Sequence, residues 1–396
     1  MSSIAILGGN KQYNSYSLNL TNSAPDQPTQ VGEERAKEIH DLFPDRELSL
    51  SQRITRAVTH PIALCGLFQG HFKSLFFVTG VKADLEHSKT LLLDIGGEEI
   101  KIPSSSGSMI SAMYFSAEKF HEHIDAAFIK WKAILEANPR LTAFWEADLE
   151  GSDLRELMRL PETVLEDCSS HKKVVVRCIG ANNLFEANPQ SIFQHLYRGI
   201  DHLAFNYQGL NDSTGTPSYE ATCADAYNCT KYIMKEKGFS AEQILMYGTS
   251  MGGGPALFTA SKIEGTDVFV DRTFSRLSAV RTTAIAAPIF RYLAENFYPF
   301  PNEEWIKNVK GRACVLHGKD DSLIDRSHAD RLVISYVESR SSEAGQDIAE
   351  RSFIEAKGGH YGPSSGDADY SWYADAESQK KFSNFIKDKT ISDNTI

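Results

Sequence analysis

Gly248-Thr249-Ser250-Met251-Gly252 is the stretch on which the reading of this chain turns. The five residues spell G-x-S-x-G. The apolar run Ile244-Leu245-Met246-Tyr247 before them has the length of a buried strand. Gly253-Gly254-Pro255-Ala256-Leu257-Phe258-Thr259-Ala260 after them opens and continues a helix. Strand, tight turn and helix in that order lift a serine hydroxyl above the end of a sheet. The turn demands a strained backbone at Ser250 and small neighbours, because strand and helix nearly touch there. The backbone N–H of Met251 then faces the place where negative charge develops when a serine attacks a carbonyl, the position of an oxyanion-hole donor. Three fixed residues in five recur by chance, so the partners and their order carry the argument.

Downstream, Ala313-Cys314-Val315-Leu316 reads as a buried strand, followed by the polar His317-Gly318-Lys319-Asp320-Asp321-Ser322. Open α/β sheets collect functional groups at the C-terminal ends of their strands. A carboxylate in this loop is therefore a candidate to orient an imidazole. Asp321, three residues past Gly318, is the first choice and Asp320 its competitor; Asp325 suits a helix cap better. Further on, Ser352-Phe353-Ile354-Glu355-Ala356 reads as a short strand that runs into Lys357-Gly358-Gly359-His360-Tyr361-Gly362. A histidine flanked by glycines just past a strand is placed to reach across the sheet. The alternatives fit other roles: His317, at a strand-end turn, a local hydrogen bond, and His328, on a charged helix, solvent. The order Ser250, Asp321, His360 is nucleophile, acid, base. It is the order of the α/β-hydrolase arrangement and not of the chymotrypsin or subtilisin ones.

With these residues in place the chain resembles the α/β-hydrolase superfamily over roughly residues 90–390, and within it the α/β-hydrolase-domain (ABHD) and BEM46-like branch. Glu99–Ile102 and Met109–Phe115, around a Ser/Gly turn, resemble the opening hairpin. Val174–Ile179 with Gly180 is similar to the strand that ends in a glycine and offers the second oxyanion-hole amide. Asn206-Tyr207-Gln208-Gly209 with Ser213-Thr214-Gly215 resembles the family's N-Y-R-G…S-x-G segment. Asp271-Arg272-Thr273-Phe274-Ser275 resembles its D-R-S-F-S stretch. Two positions depart from the pattern. Ile179-Gly180 stands where His-Gly is common, which leaves the second donor open between Ala181 and Asn182. Gln208 replaces the usual Arg. There is also a likeness to hydrolases of intracellular bacterial pathogens such as Chlamydia and Legionella. The resemblance implies a serine hydrolase acting on a small-molecule or lipid acyl ester, with a protein or acyl thioester as the alternative. It implies no metal and no organic cofactor. A non-catalytic binding protein on the same fold is the rival from another class.

A net charge of −11 argues against a nucleic-acid partner, whose phosphates call for basic patches. The six cysteines show no C-x-x-C spacing, and Cys178 and Cys314 fall in expected buried strands, so reduced thiols and a cytoplasmic setting are expected. Met1–Tyr16 lacks the pattern of a cleaved signal peptide. Export into a host cell stays open. The stretch from His60 to Val81 is the most apolar early segment, but Gln69, His71 and Lys73 interrupt it, and a span needs ~20 mostly apolar residues. A helix packed on the body is expected there, with peripheral membrane contact as the other reading.

The expected architecture is an α/β-hydrolase fold: a mostly parallel central sheet flanked by helices, with an N-terminal helical extension and a helical insertion. Its parts are an extension over 1–88, a hydrolase domain over 89–390 and a flexible tail over 391–396. The insertion covers about 117–170. Phe120, Ile124, Ala127, Phe128, Trp131, Ile134 and Leu135 recur at helical spacing, Pro139 ends that helix, and a second helix-prone run covers 149–165. The insertion is equally suited to be a lid or a buttress at the sheet edge. Beyond Ser250 the pattern predicts helix 253–263, strands 267–270 and 282–287, helix 302–309, strand 312–316, helix 326–338, strand 351–356 and helix 374–387. The aromatic stretch 291–301 fits either an acyl pocket or the core.

Overall fold

The computed structural model describes residues 79–139, 141–142, 148–165, 168, 172–181, 183–280, 287–340, 345–360 and 375–387. Strands β1 (Glu98–Pro103) and β2 (Met109–Phe115) form the expected hairpin through a 3-10 turn at Ser105–Gly107. They are followed by β3 (Val174–Cys178), β4 (Asp201–Phe205), β5 (Ile244–Thr249), β6 (Asp267–Asp271), β7 (Ala313–Gly318) and β8 (Phe353–Ala356). All eight join one sheet in the order β1-β2-β4-β3-β5-β6-β7-β8. β2 is antiparallel to β1 and β4, and every other neighbouring pair is parallel. Every residue of β3, β4, β6 and β7 is buried. That is why Val174-Val175-Val176 shows no polar alternation: a strand covered on both faces has no solvent side to mark.

The covering helices can be assigned to faces from β5, because successive strand residues point to opposite sides. Met246 meets Thr230 of α5 (Tyr219–Glu236), whose hydroxyl lies 3.2 Å from the Met246 sulfur. Tyr247 meets Phe382 of the C-terminal helix Ala376–Lys387, with ring centroids 5.8 Å apart, and Phe382 also packs at 4.7 Å on Phe269 of β6. The remaining described helices are α1 (Thr79–Asp94), α2 (Ala117–Ala137), α3 (Leu154–Leu157), α4 (Gln190–Leu196), α6 (Gly253–Lys262), α7 (Ala287–Phe297), α8 (Asn302–Lys307), α9 (Arg326–Glu338) and α10 (Gly345–Arg351); the C-terminal helix is α11.

The helix expected at the start of the insertion is α2, and it buries Phe120, Ala127, Trp131 and Leu135. Of the two roles open to the insertion, α2 fills that of buttress. β2 runs antiparallel to β4, with Phe115 opposite His202, so α2 leaves from the N-terminal end of the parallel strands. Ser250 lies at the other end. Ala117 donates its N–H to Asp201 of β4 at 2.9 Å, Phe120 meets Tyr197 edge-on at 5.0 Å, and the Trp131 indole N–H reaches Asp94 of α1 at 2.9 Å. The run 149–165 does not form one helix. It gives α3, capped by the Asp153 carboxylate, and a 3-10 turn at Glu162–Leu165 after Pro161, whose missing N–H and ring break a helix.

α1 crosses the boundary drawn at residue 88 and buries Leu91 and Leu92. The apolar stretch 60–81 lies outside the described residues except for 79–81, the first turn of α1. The extension up to 78 and the tail 391–396 lie outside them as well. The strand expected over 282–287 falls on undescribed residues but for Ala287, which opens a helix. Within 291–301, Tyr298 and Phe300 are core residues, Phe300 packing on Tyr219 and Phe274, while Tyr292 is exposed. No described helix is long and apolar enough to cross a membrane.

Candidate active site

β5, β7 and β8 each deliver one polar group to the C-terminal end of the sheet. Ser250 follows β5 directly with φ +53°, in the left-handed region that a non-glycine residue occupies only under constraint. The constraint is steric. A Cβ at Gly248 would run into the backbone of Gly252 and Gly253, and one at Gly252 into the Cys178 carbonyl of β3, so the turn closes only with hydrogen at both places. Ser250 itself is half-buried.

Its Oγ lies 3.0 Å from Nε2 of His360, and Nδ1 of His360 lies 2.8 Å from Oδ2 of Asp321. The other carboxylate oxygen, Oδ1, accepts the N–H groups of Leu323 at 2.9 Å and Ile324 at 2.8 Å. Burial works to raise the Asp321 pKa. The hydrogen bond and charge of His360, with the Ile324 and Leu323 amides, outweigh it and hold the carboxyl below its ordinary value. The structure thus brings Ser250, Asp321 and His360 into one hydrogen-bonded chain.

The competitors go elsewhere. Asp320 is exposed, and its N–H donates to the Gly358 carbonyl at 3.1 Å. Asp325 caps α9 by accepting the Ser327 N–H at 3.0 Å. His317 is buried within β7, and burial lowers its pKa; the local hydrogen bond expected of its ring is absent among the described residues. His328 corrects the expectation of a solvated ring. It is buried, and its Nδ1 accepts the Ser275 N–H at 3.1 Å. His328, Leu332 and Ser335 share the inward face of α9 at helical spacing, so charged neighbours such as Arg326 and Arg331 do not expose it.

The loop after β3 passes over the serine. A Cβ at Gly180 would sit 3.5 Å from the Ser250 Cβ and 3.3 Å from the Thr249 carbonyl. Ala181 follows it and is half-buried, whereas Asn182 is not among the described residues. Beyond it the loop is tied down by Glu186, a residue that carries no signal in the sequence. The buried Glu186 carboxylate accepts both Asn206 Nδ2, at 2.9 Å to each oxygen, and Asn211 Nδ2 at 2.9 Å. Burial raises its pKa against those bonds. Two further groups escaped the sequence reading. Arg272 donates to the carbonyls of Gly359 and His360, and Thr273 Oγ1 donates to the carbonyl of Ser250 at 2.6 Å.

The Gln208 departure has a visible consequence. Gln208 donates its backbone N–H and Nε2 to the buried Asp225 of α5 at 2.8 and 2.7 Å, and Ser104 Oγ adds a third bond at 2.6 Å. None of these donors is a cation. Burial pushes the Asp225 carboxyl up to about 7 against the pull of those bonds. The sign follows from linkage. Between about pH 4 and 7 the folded chain binds a proton that the unfolded chain does not, so stability falls as pH rises through that window and levels off above it. Across that window the loss amounts to about 4 kcal/mol. Urea unfolding at a series of pH values is expected to show wild type losing roughly 4 kcal/mol of stability between about pH 4 and 7 that Asp225→Asn does not lose. Identical losses would contradict the assignment.

Serine, histidine and aspartate at the C-terminal ends of β5, β8 and β7 of this sheet define the class: the chain has the α/β-hydrolase fold. The comparisons with known proteins agree with the resemblance read from the sequence. The model of the Chlamydia CHLPS protein family (DUF818) matches residues 177–294. The α/β-hydrolase domain-containing protein aho-3 of Caenorhabditis elegans is 30% identical over 125 residues, which cover 32% of this chain and 36% of that protein. The human α/β-hydrolase domain-containing protein 17C is 31% identical over 125 residues, with the same shares. The match thus spans about a third of the length of these relatives. Among solved structures, the Pyrococcus furiosus esterase Pf2001 has 11% identity and a TM-score of 0.48, covering 75% of this chain and 94% of that one.

Proposed function

We propose that this chain is a serine hydrolase that cleaves carboxylic acyl esters through an acyl-enzyme. The observation that carries the reading is the unbroken run from Ser250 Oγ through His360 to Asp321, with Ser250 in a strained elbow. His360 Nε2 takes the Ser250 proton as Oγ attacks the acyl carbon. Asp321 keeps the proton of His360 on Nδ1 and stabilises the imidazolium. The backbone amides of Met251 and Ala181 bind the oxyanion, each such donor contributing about 3 kcal/mol. His360 then hands its proton to the leaving alkoxide. Water, activated by the same imidazole, repeats the attack and releases the acid. No step calls for a metal or an organic cofactor. The family resemblance favours a lipid or acyl ester as substrate.

The test is labelling with a fluorophosphonate, the adduct being located by mass spectrometry in wild type, Ser250→Ala and His360→Ala. Labelling at Ser250 that both substitutions remove is the expected result. A folded wild type that stays unlabelled and turns over no ester would leave a binding protein on this fold as the better reading.

A further inference from the structure

We infer that Arg272 and Thr273, on the turn that leaves β6, are positioning residues that hold the histidine and the serine of the proposed site in place; the inference rests on the roles of Ser250 and His360 given above. β6 lies between β5, which leads into Ser250, and β7, which leads into Asp321. Its C-terminal turn therefore borders both halves of the site.

Arg272 sits at φ +49°, a conformation an arginine keeps only when its surroundings hold it. Its backbone N–H donates to the Leu316 carbonyl of β7 at 2.9 Å. Its nearly buried guanidinium pairs in two places with the fully buried Asp271, Nε to Oδ1 at 2.7 Å and Nη2 to Oδ2 at 3.0 Å. That leaves Nη1 pointing away from the pair, and it donates to the carbonyls of Gly359 at 3.1 Å and His360 at 3.2 Å. Lys357-Gly358-Gly359 leads from β8 to His360, and Gly358 is at φ +90°. Two adjacent glycines fix their own backbone poorly, so the position of His360 depends on what grips its carbonyls. Arg272 supplies a side-chain grip on the Gly359 and His360 carbonyls, beside the Asp320 N–H on the Gly358 carbonyl. On the other side of the turn, the Thr273 hydroxyl grips the Ser250 carbonyl at 2.6 Å.

The pair with Asp271 does more than orient the fork. It neutralises the guanidinium, so the cation that holds the histidine loop does not oppose the imidazolium formed during acyl transfer. Lysine could keep the charge pair with Asp271, but a point-like ammonium cannot reproduce the planar fork that reaches Asp271 and the two carbonyls together.

The experiment measures p-nitrophenyl ester hydrolysis by wild type, Arg272→Ala, Arg272→Lys and Thr273→Val, with folding followed by circular dichroism. A displaced imidazole lowers the rate of chemistry rather than binding, so kcat is expected to fall about 100-fold in both Arg272 variants with KM little changed. Thr273→Val is expected to lose about tenfold in kcat. Guanidinium chloride at sub-denaturing concentration should restore about a tenth or more of the lost rate to Arg272→Ala by filling the vacated fork site, where equal sodium chloride does not. A merely structural residue would show no such rescue. Wild-type kcat in folded Arg272→Lys overturns the inference. So does a loss confined to KM, or an Arg272→Ala that is folded, slow and indifferent to guanidinium. Should Arg272→Ala fail to fold, the kcat of Arg272→Lys decides alone. An inactive, unlabelled wild type sinks the hydrolase reading itself, whereas an active wild type matched by Arg272→Lys sinks only this inference.

Discussion

Ser250→Ala and His360→Ala are each expected to lower kcat for ester hydrolysis by about 10⁶-fold, and the double variant is expected to lose almost nothing more. In the proposed mechanism the two groups act as one unit. The serine hydroxyl is a weak nucleophile until its proton has somewhere to go, and the acceptor is the His360 Nε2 at 3.0 Å. Without the imidazole the hydroxyl is inert at neutral pH. Without the hydroxyl the imidazole has nothing to activate at that position. Once either is gone, removing the other costs little, and the residual rate belongs to substrate binding and the oxyanion donors, about 10³- to 10⁴-fold over water in comparable sites. Folding should survive. Alanine at φ +53° carries the same backbone strain as serine, and Ser250 is not a core residue. Steady-state hydrolysis with thermal melts on all four proteins checks this. A double variant far below both singles would mean that the two groups act independently, and a single variant within about tenfold of wild type would remove that residue from the chemistry.

The parts of this site that could be read from sequence are those fixed by local sterics. A serine on a strand-to-helix turn needs hydrogens in place of side chains two residues before and after it, so Gly248 and Gly252 mark the elbow locally, and the order of the later acid and histidine makes that signal specific. The runs 174–176, 244–246 and 313–316 within β3, β5 and β7 announce themselves by lacking polar residues. What could not be read are contacts between positions with no local reason to look alike. Arg272 meets Gly359 and His360 only because β6 and β8 end on the same side of one sheet. Glu186 shows no spacing pattern, and its partners Asn206 and Asn211 lie past another strand. His328 differs: the inward period of α9 is present in the sequence and outweighs the charge of its neighbours. The run 149–165 is similar: its apolar spacing is helical, but Pro161 divides it.

The choice between two adjacent aspartates yields the second large effect. Asp321→Asn is expected to lower kcat by about 10⁴-fold, while Asp320→Asn leaves it within about twofold of wild type. The geometry gives the reason. Asp321 uses its two oxygens differently: Oδ1 accepts the amides of Leu323 and Ile324, and Oδ2 faces His360 Nδ1 at 2.8 Å. An asparagine at this position has one oxygen and one NH₂ group. Two backbone donors hold the oxygen on the loop side, since the NH₂ cannot accept from either. The NH₂ must then face His360, and Nδ1 can meet it only as an acceptor. The imidazole proton moves to Nε2, the nitrogen that must be empty to take the Ser250 proton, so the base is lost although every residue stays in place. Asp320 has no such constraint, because its side chain is exposed and its ordered contact is a backbone N–H that asparagine keeps. Nitrogen-15 shifts of the His360 ring would report the tautomer directly, with the proton on Nδ1 in wild type and on Nε2 in Asp321→Asn. A large loss with Asp320→Asn, or Asp321→Asn at wild-type rate, would exchange the two assignments.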